Sequence, residues 1–205
     1  SNLANLCVDQ NDWVAAETHF ARCLDIRRKV GDVAGTANAL NGLGNVYLGR
    51  ADYDCAAATF GECLDIFEEI SAGFGIAVAT LNLGQIETER GDLTLALEYL
   101  ARAHAAAQPL KARDLLTDIR AAEARAYAEA SLWEDAADAA DDALAAAREI
   151  ANPGIEAKAL WAQAAVALAK GDSAASLDNF GKSVEAARGA DLKRWEARSL
   201  LGRAL

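Results

Sequence analysis

The sequence predicts an all-α fold, a solenoid of helix-turn-helix hairpins. Three observations carry that expectation. Asp12, Asp52, Asp92 and Asp172 keep a 40-residue rhythm with no insertion or deletion between them. Aligned on that rhythm, Ala16, Ala56, Ala96, Ala136 and Ser176 form a column of small residues, and Phe20, Phe60, Leu100, Ala140 and Phe180 a mostly large one. Only two prolines interrupt 205 residues rich in Ala and Leu, a composition that favours helix. Units of fixed length stack on their neighbours, and such arrays present extended surfaces to partners.

The elements follow in order. In the first unit, Asn11-Asp12 separates two helical patterns and Gly31-Asp32 closes the second. The second unit is the cleanest. Thr36 to Leu48 repeats Leu40, Leu43, Gly44 and Tyr47 at helical spacing, Gly49 to Asp52 breaks the pattern, and Tyr53 to Ile70 carries the stripe Ala56, Phe60, Cys63, Leu64 and Phe67. Gly44 aligns with Ala4, Gly84, Ala124 and Ala164, so another helix must approach closely at that level. Ser71 to Gly75 leads into the third unit, where Gly91 suits a left-handed helix end and Asp92 an N-cap. Pro109 breaks the chain before the fourth unit, in which Ser131-Leu132 replaces the Asp cap, leaving Ser131 or packing by Trp133 to compensate. Glu123 also replaces Leu43 and Leu83 there, and Ala140 the large residue, which points to a weakened core or an altered groove. Asn152-Pro153-Gly154 opens the fifth unit, and Gly171-Asp172 turns it.

A single domain spanning 1–205 is expected, with units at 1–36 (partial), 37–76, 77–116, 117–156, 157–194 and 195–205 (partial). By phase both ends fall inside a unit. The leading Ser-Asn and the lack of Met are read as signs of a fragment of a longer protein.

The net charge of −11 is uneven, with six acids against one base in residues 38–77 and ten against three in 118–157. A surface this acidic repels phosphates, so neither direct nucleic-acid binding nor binding to an anionic membrane is expected. No apolar run reaches transmembrane length and no signal peptide is evident. Cys7, Cys23, Cys55 and Cys63 form no CxxC pair and are expected to be buried free thiols in a reducing cytoplasm.

The residues Leu43-Gly44-Asn45, Tyr47, Asp52-Tyr53, Ala56, Phe60 and Leu64 resemble the tetratricopeptide repeat (TPR). The 40-residue unit, longer than the usual 34, resembles the long-helix subclass seen in Pins-type adaptors and in the repeat regions of bacterial STAND-type regulators. The segment from Leu24 through Asp32 to Ala37 is particularly similar to the bacterial arrays. The resemblance implies a right-handed superhelix whose first helices line a concave groove. It also implies that the column of Asn5, Asn45 and Gln85 offers side-chain amides to the backbone of a bound peptide, departing to Arg125 and Ala165.

Asn38, Asn41 and Asn45 share one helix face at i, i+3 and i+7 although Asn is a poor helix former. Neighbouring groove columns hold Asp9, Glu89 and Glu129, and Asn38, Val78, Asp118 and Lys158. The candidate groove is therefore Asn5, Asn38, Asn41, Asn45, Gln85, Glu89 and Arg125. Its acidic wall suits a partner peptide with Lys or Arg, and Arg125 would take a carboxylate. Leu48, Leu81 and Trp161 are the apolar members, the first two read as packing residues. Glu134, Asp135, Asp138, Asp141 and Asp142 mark a solvated outer face.

No catalytic residue, cofactor or metal site is expected. His19 and His104 are isolated, with His104 read as packed in a core position, and no HExxH motif, phosphate loop or metal-ligand spacing occurs. The leading expectation is a non-catalytic module binding a protein or peptide ligand. The alternatives are a sensor or autoregulatory domain of a bacterial regulator, and self-association through open terminal repeats.

Overall fold

In the computed structural model, residues 2–9 and 12–204 are described, without the side chains of Asn2, Asn5, Asp9 and Arg194. Among the described residues there are eleven α-helices and no strand. They are α1 (Asn2–Asp9), α2 (Trp13–Lys29), α3 (Val33–Gly49), α4 (Tyr53–Glu69), α5 (Gly73–Arg90), α6 (Leu93–Ala107), α7 (Arg113–Glu129), α8 (Trp133–Glu149), α9 (Pro153–Ala169), α10 (Ser173–Gly189) and α11 (Lys193–Arg203). Each helix packs on the next, and α5 with α7 and α7 with α9 also touch directly. Odd-numbered helices thus form an inner layer and even-numbered helices an outer one. The helix expected from Thr36 starts earlier, at Val33, because Asp32 caps it by accepting from Gly35 N at 2.8 Å.

The backbone halves the 40-residue rhythm. Left-handed residues recur at Gly31, Ala51, Ser71, Gly91, Lys111, Ser131, Ala151, Gly171 and Asp191, one after each of α2 to α10. Each is followed by the N-cap of the next helix. Asp12, Asp52, Asp92 and Asp172 accept from the amide three residues on at 3.0 to 3.2 Å, and Asn152 caps α9 likewise at 3.1 Å. Leu132 has no such bond, and Ser131 does not supply one. Trp133 instead packs with Ala128, Ala136 and Val166. Pro109 lies in a short 3-10 turn, Gln108–Leu110, that closes α6.

The large column fills the space between inner helices. Phe60 is fully buried, and a Cβ on Gly44 would stand 2.8 Å from its ring, while one on Gly42 would overlap Phe20 and one on Gly202 would overlap Phe180. A side chain at any of these glycines would force the helices apart. In the fourth hairpin Ala124, Ala140 and Ala162 meet with no exposure, so small residues close the gap that Phe fills elsewhere. Glu123 is nearly buried and accepts from Arg120 at 3.1 Å.

Two expectations are corrected. His104 is exposed, because the buried stripe of α6 is Ala96, Leu100, Ala103 and Ala107 and His104 lies one position round the helix from Ala103. Of the cysteines expected to be buried, only Cys7 and Cys63 are, while Cys23 is half-buried and Cys55 exposed. Cys55 precedes the buried Ala56 column and faces outward beside Asp52, whose carboxylate raises its pKa.

Cys63 Sγ donates to the Ala37 carbonyl at 3.2 Å, and Ser183, in the same column, donates to Ala157 at 2.6 Å. Burial pushes the Cys63 thiol up from 9.0 to about 12. The folded state holds this proton more tightly than the unfolded chain, so its contribution is complete below about pH 9 and is lost as pH rises towards 12. Melting temperature should therefore fall above pH 9, and Cys63→Ser should flatten that slope while keeping the bond to Ala37. An unchanged slope would reject the assignment.

Candidate functional site on the inner face

The inner layer closes on itself. Glu89, near the end of α5, accepts from Arg125 of α7 at 3.2 Å and from Arg198 of α11 at 2.7 Å, the latter 109 residues away. Their side chains are about one-tenth, 7% and 25% exposed respectively. Arg125 lies 5.9 Å from the centre of the Trp161 ring, and Arg198 lies 5.4 and 5.6 Å from those of Trp161 and Trp195. Trp161 also meets Phe180 and Trp195 edge-on. Two guanidiniums thus meet one carboxylate beside an aromatic wall, where little water screens the charges.

Burial, followed by the nearby charge of Arg198, lowers the Arg125 pKa to about 10, with Glu89 and Glu129 acting against the shift. Arg125 Nε and Trp161 Nε1 are buried without hydrogen-bond partners.

Of the residues expected in the groove, Gln85, Glu89 and Arg125 come together, joined by Leu48, Trp195 and Arg198 around a closed space of about 20 Å³. Asn38 and Asn45 are exposed on α3 and Asn41 is half-buried, its Oδ1 lacking a donor. The Asn5 side chain lies outside the described residues, as does that of Asp9. Asp118 and Lys158, one unit apart in a single column, form an ion pair. Leu48 and Leu81 are buried. Trp133 and Arg198 had not been singled out for the site. Arg198 follows from the same 40-residue rhythm, since Asn38, Val78, Asp118 and Lys158 continue by another 40 residues to it.

The column Asn45, Gln85, Arg125 ends at Ala165, and there the inner face opens. Ala165, Trp133, Trp161, Leu168, Phe180 and Leu201 line a cleft of about 570 Å³, with Glu129 and Arg198 also on its wall. One unit earlier Arg125 stands in the place of Ala165 and Trp161 in that of Leu201, so the cleft exists because two bulky side chains give way to smaller ones. The acidic residues Glu134, Asp135, Asp138, Asp141 and Asp142 are exposed on α8, in the outer layer. Among the described residues no group of His, Cys, Asp or Glu could hold a metal ion, and no helix is long and apolar enough to cross a membrane.

Comparison with known proteins bears on the fold. Residues 1–69 match the family model of the tetratricopeptide repeat. The fold is a solenoid of helical hairpins, similar to that of a protein with TPR-like repeats. The chain is similar to BtubC (BKLC) from P. vanneervenii at 18% identity and a TM-score of 0.73, covering 92% of this chain and 78% of that one. It is similar to a Rap protein solved in complex with Competence and Sporulation Factor at 13% identity and a TM-score of 0.72, covering 98% of this chain and 60% of that one. A kinesin light chain with TPR-like repeats from Podosopora anserina gives 12% identity, a TM-score of 0.69 and 93% coverage of both chains. No curated protein sequence matches.

Proposed function

We propose that this chain is a non-catalytic interaction module that binds a peptide or protein segment along its concave face. The observation that carries the reading is the open cleft at Ala165. Its walls are apolar and aromatic, Glu129 and Arg198 stand at its polar margin, and its volume of about 570 Å³ lies in the range of preformed ligand sites. A bulky apolar side chain of the partner enters there, and the exposed amides of Asn38 and Asn45 hold the main chain further along. The lack of any CxxC pair among Cys7, Cys23, Cys55 and Cys63 supports a cytoplasmic setting.

A second reading is a sensor or autoregulatory repeat domain within a longer bacterial regulator of the STAND type, built from long-helix units shared with Pins-type adaptors. The contact of α11 with α5 across the groove favours it, since an inner face that touches itself can exchange an internal contact for an external one.

The test begins with a partner obtained by affinity capture and then purified. Ala165→Arg fills the cleft, and its Kd for that partner should rise by at least about tenfold, with melting temperature nearly unchanged. Unaltered affinity would reject the cleft as the binding site.

A further inference from the structure

Trp195 blocks the middle of the inner face. It borders the closed space of about 20 Å³ beside Glu89 and Arg125, a second of about 10 Å³ beside Gln85 and Thr88, and a hollow of about 400 Å³ lined by Asp114, Asp118, Asn152 and Lys158. One indole separates all three. Arg198, three residues on and therefore on the same helical face, reaches Glu89 across the groove at 2.7 Å. The corresponding columns hold Gly35, Gly75, Leu115 and Ile155, and Asn38, Val78, Asp118 and Lys158, so only α11 carries an aromatic and an Arg together.

α11 rests on α10 through the buried Ser183–Ser199 hydrogen bond at 2.8 Å, but it has no side-chain cap and leaves Leu200 and Leu201 43% and 71% exposed. Glu89 does not depend on α11 for its place, because Arg125 also holds it from α7. If α11 moves aside, Glu89 loses Arg198 while Arg125 still holds it. Asp114 and Asp118 add negative charge to the adjoining hollow, with Lys158 answering one of them.

We propose that α11 is a resident plug of the concave groove, and that its Trp195 and Arg198 occupy the positions taken by an aromatic and a basic side chain, three residues apart, on a partner helix. The inference rests on the concave-face reading and names the partner's chemistry. The partner exchanges one Arg–Glu89 pair for another, so the net gain comes from its remaining contacts, and the plug sets a threshold against weaker ligands.

The test uses the full chain and a fluorescent synthetic peptide with the sequence of residues 191–204. Anisotropy should show the peptide binding Trp195→Ala/Arg198→Ala at least about tenfold more tightly than the unaltered chain. A peptide with both residues replaced by Ala should bind neither protein. Hydrogen exchange in α9 and α10 confirms that the variant is folded, and Arg198→Ala alone replaces it if it is not. Equal affinity for variant and unaltered chain, or equal binding of the two peptides, would overturn the plug. Either result leaves the Ala165→Arg experiment untouched, so loss of the plug and loss of the concave-face reading are told apart.

Discussion

Replacing Phe60 with Ala should cost about 3–5 kcal/mol, the largest loss expected from a core substitution in this chain. The ring is fully buried and lies against Gly44, in the cluster that runs from Ala4 to Ile86. No neighbouring side chain can swing into the space, because Gly44 has none and the small residues Ala56 and Cys63 on α4 are already buried. Because each unit contacts only its neighbours, the damage should appear first as faster hydrogen exchange in α3 and α4, with the C-terminal helices following. Phe60→Leu, which imitates Leu100 in the next unit, should cost less than about 1.5 kcal/mol. Chemical denaturation of the three proteins checks the series, and equal midpoints for Ala and Leu would show that Phe60 does not hold the helices apart.

Glu89→Ala should be nearly as damaging, by about 3–5 kcal/mol. The loss comes from what remains rather than from the missing bond. Arg125 would stay charged in a site where its side chain is only 7% exposed, with Arg198 close by and no carboxylate between them. Removing the stranded charge should recover part of the loss, so Glu89→Ala/Arg125→Leu should be more stable than Glu89→Ala alone. A loss under about 1 kcal/mol, the usual range for an exposed pair, would mean that water reaches the site and that the inner face is not closed at this level.

The hairpins were legible because their determinants are local. Asp12, Asp52, Asp92 and Asp172 cap helices as expected, and Gly91 and Gly171 take left-handed conformations. The finer 20-residue rhythm was hidden because Ala51, Ser71, Lys111, Ser131, Ala151 and Asp191 adopt the same left-handed conformation. Backbone bonds at each helix end, such as Asp52 N to the Tyr47 carbonyl at 2.9 Å, hold that conformation whatever the side chain, so the side chains do not advertise it. The candidate site was only half legible. Column arithmetic brought Gln85, Glu89 and Arg125 to one face, but the meeting of Glu89 with Arg198 depends on how tightly the superhelix winds, which no single column encodes. Ala165 was visible as a departure, and its consequence, a cavity, follows only once Trp133, Trp161 and Phe180 are placed around it.

The four tryptophans report on both ends of the molecule. Trp133 and Trp161 line the cleft and Trp195 plugs the groove, whereas Trp13 lies against Gly49 at the far end. Titrating the purified partner segment while recording the indole N–H resonances tests the concave-face reading most directly. The signals of Trp133 and Trp161 should shift with saturation and that of Trp13 should stay in place. Binding that leaves Trp133 and Trp161 unmoved while shifting the amides of Asp138 and Asp141 on α8 would place the partner on the outer face and contradict the account.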